Sequence, residues 1–236
     1  MRIMVETHTH TVMSTHAYST VGELIEQAKE IGLTGLAITD HGPAMGEQSS
    51  DWGFGNMRVM PDYIKGVRLF KGVELNIMDS EGRVDLREAY LKNMQIAIAS
   101  LHSVTWAPTT IANHTSAYIG AAKNKHVDII GHCGQDSYMF DYQKALKIFK
   151  EYDVAVEFNS HSFGGRPGSE KNCAEIARLC KKYEIKAVVS SDAHCAYSVG
   201  NFEPVLKMLE EVEFPENLVM NTGLEKLEEW LSGRRR

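Results

Sequence analysis

The 236-residue chain is 43% hydrophobic and 24% charged, the balance of a water-soluble globular protein with material for one sizeable core. A net charge of −6 speaks against a protein built to grip nucleic acid, and no apolar run is long enough to span a bilayer. The N-terminus enters polar residues at once and Cys133, Cys173, Cys180 and Cys195 form no CxxC pair, so a reducing cytoplasm with no membrane partner is expected.

No repeat, linker or low-complexity tract interrupts the chain, so residues 1–236 read as a single domain. The first β-rich run, Ile3–Thr7, leads into His8 and His10. Ser19 or Thr20 is placed to cap a helix over Val21–Ile31, where Leu24, Ile25, Ala28 and Ile31 share a face. The second run, Gly35–Thr39, precedes Asp40 and His41, and the stretch Pro43–Met60 that follows reads equally as a lid or as ordinary loop. The third run, Arg68–Asn76, carries Glu74 near its end. The fourth, Gln95–Leu101, is followed by His102, and the fifth, Val127–Gly131, by His132. A helix is expected over Tyr142–Tyr152, then a sixth strand over Val154–Asn159 and a glycine-bearing loop over Asn159–Ser169. Glu170–Tyr183 reads as a helix with Cys173, Ile176, Ala177 and Cys180 on one side. The seventh run, Ala187–Ser190, ends before Asp192 and His194.

Strands alternating with helices imply a mostly parallel sheet covered by helices. Seven such units in this length favour a barrel of the TIM type over a doubly wound open sheet. In a parallel barrel the C-terminal strand ends gather in one mouth, so His8, His10, His41, Glu74, His102, His132, Asp192 and His194 converge there. Residues two apart on extended chain face the same way, which lets HxH and DxH each present two donors to one ion. Imidazoles and carboxylates without thiolates suit zinc, manganese or iron. His114 and His126 lie off the strand ends and read as surface residues, and the terminal Arg234–Arg236 run reads as solvated charge.

These residues carry a resemblance. His8-Thr9-His10, Thr39-Asp40-His41, His102 with His132, and Ser191-Asp192-Ala193-His194 resemble the signatures of the PHP (polymerase and histidinol phosphatase) superfamily. THAYST at Thr15–Thr20, AITDHGPAM at Ala37–Met45, GSEKNC at Gly168–Cys173 and Phe214-Pro215 look like its YcdX-like branch of small bacterial phosphatases. The likeness runs from residue 6 to about residue 230. It implies a distorted TIM-like (β/α)7 barrel with three metal ions, zinc first, with manganese or iron as alternatives. One ion would take His8, His10, Glu74 and Asp192. A second would share Glu74 and add His102 and His132. The third would take His16, His41 and His194; His16 enters only through the resemblance. Two positions depart from the family pattern: Glu6 stands where aspartate is usual, and Cys133 where proline is usual.

Two ions bridged by Glu74 would hold a bridging water and yield a hydroxide that attacks phosphorus in line. The candidate catalytic residues are Asp40, Arg166 and His194. Asp40 is expected to orient its neighbours rather than ligate, and Arg166 to contact phosphate, with His161 as a weaker candidate beside it. The expected activity is therefore hydrolysis of a small phosphorylated metabolite, in a protein that self-associates as its closest branch does. The competing readings are a phosphodiesterase or exonuclease acting on nucleic acid, a non-catalytic metal-binding module, and an amidohydrolase.

Overall fold

The computed structural model describes residues 1–46 and 50–234. The strands are β1 (Val5–Glu6), β2 (Gly35–Ile38), β3 (Tyr63–Ile64), β4 (Val67–Asn76), β5 (Ile96–Ser100), β6 (Ile129–Ile130), β7 (Ala155–Asn159) and β8 (Ala187–Ser190). Seven run in parallel in the order β1-β2-β4-β5-β6-β7-β8, and β3 pairs antiparallel with the start of β4. Helices α1 (Val21–Glu30), α2 (Asp51–Asn56), α3 (Glu88–Leu91), α4 (Ile111–Ala122) and α5 (Tyr142–Glu151) fill the first five connections. They are followed by α6 (Ser162–Gly165), α7 (Ser169–Tyr183), α8 (Glu203–Glu211) and α9 (Leu224–Arg234). The result is the expected seven-stranded α/β barrel, nearly closed, with helices outside.

The local reasons are legible. Thr20 caps α1 by accepting the Glu23 N–H, while the Glu23 carboxylate accepts the Thr20 N–H, a reciprocal capping box. Ser19 is not the cap; its hydroxyl accepts the N–H of Ala196 instead. The added strand β3 turns into β4 through Lys65 (φ 53°) and Gly66 (φ 87°), the paired positive φ of a tight hairpin.

Side-chain alternation sorts the barrel interior by height. Phe70, Ile96, Ile98, Ala155 and Val188 pack together low in the barrel. Two or four residues further along the same strand faces stand Glu74, Ser100, Glu157, Asn159 and Ser190. Leu227, Trp230 and Leu231 of α9 join the lower apolar cluster and close the N-terminal end. Polar chemistry is thereby confined to the opposite end.

The barrel has a seam. Among the described residues β8 and β1 form no ladder, and the bridge of Thr9 with Ala193 joins the chain beyond them at the top. Lower down, the Asn221 side chain takes a strand's place. Its Nδ2 donates to the carbonyls of Val5 (2.8 Å) and Val189 (2.6 Å), and its Oδ1 accepts the Val189 N–H (3.1 Å). Between these two, the buried Glu6 carboxylate accepts from the Ser191 N–H and hydroxyl and from the His8 N–H. Burial pushes the Glu6 carboxyl up to about 7, against the pull of its Ser191 hydrogen bonds.

Two surface expectations are corrected. His114 is 2% exposed: α4 buries it, with its Nε2 accepting the Thr109 N–H (2.8 Å) and its Nδ1 donating to the Met139 carbonyl (2.9 Å). Position relative to strand ends says nothing about which face of a helix is buried. Of the Arg234–Arg236 run, residues 235–236 lie outside the described residues, and Arg234 is not solvated. Its side chain is 5% exposed, pairs with Asp128 at 3.2 Å and donates to the carbonyls of Val127, Tyr152 and Asp153. His126 is partly buried, beside Glu88. Of the Pro43–Met60 stretch, residues 47–49 lie outside the described residues; the rest forms α2 between two short 3-10 turns, with Phe54 buried and Trp52 exposed. Among the described residues no helix is long and apolar enough to cross a membrane.

Candidate metal centre

Every residue proposed from sequence as a ligand reaches the same end of the barrel. His8 and His10 follow β1, His41 follows β2, and Glu74 lies two residues before the end of β4. His102 follows β5, His132 follows β6, and Asp192 and His194 follow β8. His132 (φ 25°) and Asp192 (φ 53°) both occupy the left-handed region, so the chain turns sharply just where these two side chains must face inward.

Glu74 is the hub. Its Oε2 lies 2.8 Å from His41 Nδ1, 3.4 Å from His8 Nε2 and 3.5 Å from His10 Nε2. Its Oε1 lies 2.8 Å from His132 Nε2 and 3.3 Å from His102 Nε2. Asp192 Oδ1 stands 3.1 Å from His10 Nε2 and 3.5 Å from His8 Nε2. His16 meets His194 at the rim, Nε2 to Nε2, at 2.8 Å.

Among the described residues, donor atoms close enough to share one ion fall into three overlapping groups: His8–His10–Glu74, His41–Glu74–His102 and His10–His41–His194. The first holds three of the four residues that the resemblance implies for one ion, and Asp192, the fourth, stands beside it. His41 sits closer to the middle than expected, facing Glu74 as well as the His16–His194 edge.

The outer ring nitrogens show what the inner ones are for. His8 Nδ1 is committed to Glu157 (2.6 Å), His10 Nδ1 to Ser14 Oγ (3.1 Å), His102 Nδ1 to Asn76 Oδ1 (2.7 Å) and His194 Nδ1 to the Asp192 carbonyl (2.9 Å). Each of these rings therefore keeps its proton on the outside and turns a bare Nε2 lone pair inward. The Nε2 atoms of His8 and His10 are 3.0 Å apart, and lone pairs facing at that distance repel unless positive charge stands between them. Asp192 Oδ1 and His102 Nε2 are buried with no hydrogen-bond partner. Buried orphan acceptors, all imidazole or carboxylate, fit a divalent cation of the zinc, manganese or iron kind.

Without an ion, the surrounding carboxylates draw a second proton onto His8 instead. Burial penalises a charged His8, but Glu157, Asp192 and Glu74 outweigh it and hold the ring well above the ordinary histidine range. Burial and the neighbouring His41 hold His10 well below that range. Burial would raise Glu74 and Asp192, yet the surrounding histidines keep both well below the usual carboxylate range. The site is a pair of buried anions waiting for positive charge.

Asp40 does not enter the mouth. Its carboxylate accepts from the Thr11 N–H and hydroxyl and from the Ser14 hydroxyl, each at 2.8 Å, and Ser14 in turn holds His10. Arg166 lies at the rim, with Nη2 on Asp192 Oδ2 (3.2 Å) and Nη1 on Ser162 Oγ (2.9 Å). His161 stacks on His194 with ring centroids 5.7 Å apart. A cavity of about 580 Å³ opens over the cluster, walled by Thr15, Ser103, Val104, Gln135, His161 and Arg166. Cys133 is buried, in none of the metal groups, and burial pushes its thiol well up; it fills space.

Glu157, Asn159, Asn76 and Ser14 were not singled out by sequence reasoning. A signal for three of them existed: polar residues inside otherwise apolar strands, in VEFN and VELN, are costly unless they serve a buried network.

The PHP domain model matches residues 6–161, about two thirds of the chain. The chain belongs to the PHP domain family. The PHP match covers the cluster from His8 to His132, while Asp192 and His194 lie beyond it. Relatives cover those as well. A protein of Acetivibrio thermocellus named "Probable phosphatase" is 45% identical over 100% of this chain and 98% of its own. One of Thermoanaerobacter sp. (strain X514), also named "Probable phosphatase", is 46% identical over 100% of this chain and 97% of its own. Among solved structures, a histidinol phosphate phosphatase from Lactococcus lactis, complexed with zinc, L-histidinol and phosphate, superposes with a TM-score of 0.65. It covers 90% of this chain and 94% of its own at 15% identity, a likeness of fold alone.

Proposed function

We propose that this PHP protein is a metal-dependent phosphatase that hydrolyses a small phosphomonoester at a centre of three ions. One observation carries the reading: inward-facing Nε2 lone pairs gather around Glu74 and Asp192 at contact distances, beneath a cavity of small-molecule size. The naming of close full-length relatives as phosphatases supports the choice of a phosphate ester.

His8, His10, Glu74 and Asp192 would hold one ion; Glu74, His102 and His132 a second; His16, His41 and His194 a third. Zinc suits the donors, and manganese or iron would also be accepted. When bound, such ions supply a water acidic enough to act as nucleophile near neutral pH and positive charge for the phosphoryl oxygens. The chain's own residues do the remaining work. Arg166 keeps guanidinium N–H groups beyond those spent on Ser162 and Asp192, and offers them to the phosphoryl group at the rim. Asp40 holds His10 in register through Ser14. His161, stacked on His194 and lining the cavity, is placed to protonate a leaving alkoxide. The substrate is a soluble phosphorylated metabolite, the compartment the cytoplasm, and the protein self-associates.

The test is metal analysis of the purified protein together with assays on phosphomonoesters, a phosphodiester and single-stranded DNA, with added zinc or manganese. Two or three ions per chain and monoester turnover that a chelator abolishes are expected. Turnover of the diester or DNA alone would replace the monoester reading, and a protein without metal would overturn it.

A further inference from the structure

The ligands and rim residues do not account for a buried carboxylate with four hydrogen-bond donors around it, Glu157. Glu157 lies within β7 and is 1% exposed. Its Oε1 accepts the His8 Nδ1 proton and the Ser190 hydroxyl proton, each at 2.6 Å. Its Oε2 accepts the backbone N–H of His132 at 2.8 Å and an amide proton of Asn159 at 3.2 Å. One side chain thus ties together the chain following β1, the chain following β6, and β8.

The two histidines it holds bracket Glu74. His8 Nε2 faces Glu74 Oε2, and His132 Nε2 faces Glu74 Oε1. His132 also needs restraint, because its φ of 25° is a conformation that side-chain-bearing residues seldom adopt. We infer that Glu157 is the positioning residue of this centre, fixing the ring form of His8 and the backbone of His132 so that both rings close on Glu74.

The chemistry requires a carboxylate. All four groups around Glu157 are donors, and an ionised carboxylate accepts at both oxygens. A glutamine would keep one acceptor oxygen and turn an N–H₂ against either His8 Nδ1–H or the His132 N–H. His8 would escape the clash by moving its proton to Nε2, which removes its donor to the centre. The negative charge behind the ring also makes Nε2 a stronger ligand.

The inference rests on the metal-centre reading, and zinc titration under chelator competition separates the two. The purified full chain is used, with circular dichroism of the metal-free protein as the check on fold. Glu157→Gln is expected to weaken zinc binding roughly 10- to 100-fold. Glu157→Asp keeps the charge but withdraws it by one methylene, and is expected to weaken binding in the same direction. Nitrogen-detected NMR of the zinc-loaded unmodified protein should show His8 ligating through Nε2 with its proton on Nδ1, a signature that packing alone would not impose. Unmodified affinity in either folded variant overturns the proposal while leaving the metal centre intact. Zinc on His8 Nδ1 in the unmodified protein overturns it even if neither variant folds. An unmodified protein that takes up no zinc overturns the metal reading and this inference with it.

Discussion

His8 and His10 direct their Nε2 atoms at each other across 3.0 Å while their Nδ1 atoms are occupied elsewhere. Two neutral rings in that arrangement oppose lone pair to lone pair, so the pair is stable only with a cation or a shared proton between them. Chelation should therefore lower the melting temperature, and restoring zinc or manganese should raise it again. At metal a thousandfold above Kd the gain is about 4 kcal/mol, readable by calorimetry. A melting temperature indifferent to chelator would place a proton, not a metal, in the gap.

Asp192→Asn tests the charge without disturbing shape. The asparagine oxygen can still accept from Asn159 and Arg166, and its N–H₂ would point at the His8 and His10 lone pairs. The metal-free variant should be less stable than the unmodified protein, because the histidines and Arg166 favour ionised Asp192 in the fold, and it should bind less metal and lose about 100-fold or more in turnover. Metal content by elemental analysis and a urea unfolding curve decide it. Full activity would remove Asp192 from the ligand set.

Arg166 has two duties that can be separated. Its Nη2 steadies Asp192, and its remaining N–H groups face the cavity. Arg166→Ala should raise KM for a phosphomonoester about tenfold or more and also lower kcat, whereas Arg166→Lys should recover part of KM but not the bidentate geometry. Steady-state kinetics on both variants provide the check; unchanged KM in the alanine variant would return Arg166 to a purely supporting role.

Asn221 predicts a stability effect far from the site. Its amide makes the hydrogen bonds that a strand would otherwise supply between β1 and β8. Asn221→Leu strands buried carbonyls and an N–H and should cost about 3 kcal/mol, seen as a lower urea midpoint. Metal binding by the folded fraction should be unaffected. A midpoint within experimental error of the unmodified protein would show that the seam closes by other means.

The strand ends were readable from sequence because parallel strands buried on both faces stand out as apolar runs, and the residues just after them inherit a common location. This is why His8, His41, His102, His132 and His194 could be grouped without coordinates. His16 could not, since it belongs to a loop with no periodicity to place it. Glu157 was passed over because one charge inside a strand carries no spacing signal; only its four partners, drawn from distant segments, reveal its use. The β3 hairpin hid for a related reason: its turn is Lys65-Gly66, and lysine gives no warning that it will adopt a positive φ. His114 and Arg234 were misplaced because burial on a helix depends on what packs against it, which the local sequence does not contain.

The floor of the barrel is also a matter of timing. Residues 224–234 are synthesised after every strand, yet Leu227, Trp230 and Leu231 are what cover Phe70, Ile98 and Ala155 from below. Until they emerge from the ribosome, the nascent barrel has an open apolar end that water must wet or a chaperone must shield. Arg234, bonded to carbonyls preceding β6 and β7, fastens this late segment to the barrel. A chain stopped before Leu224 would hold all nine proposed ligands and still present a hydrophobic well to its neighbours, so its fate would be aggregation rather than a metal-binding fragment.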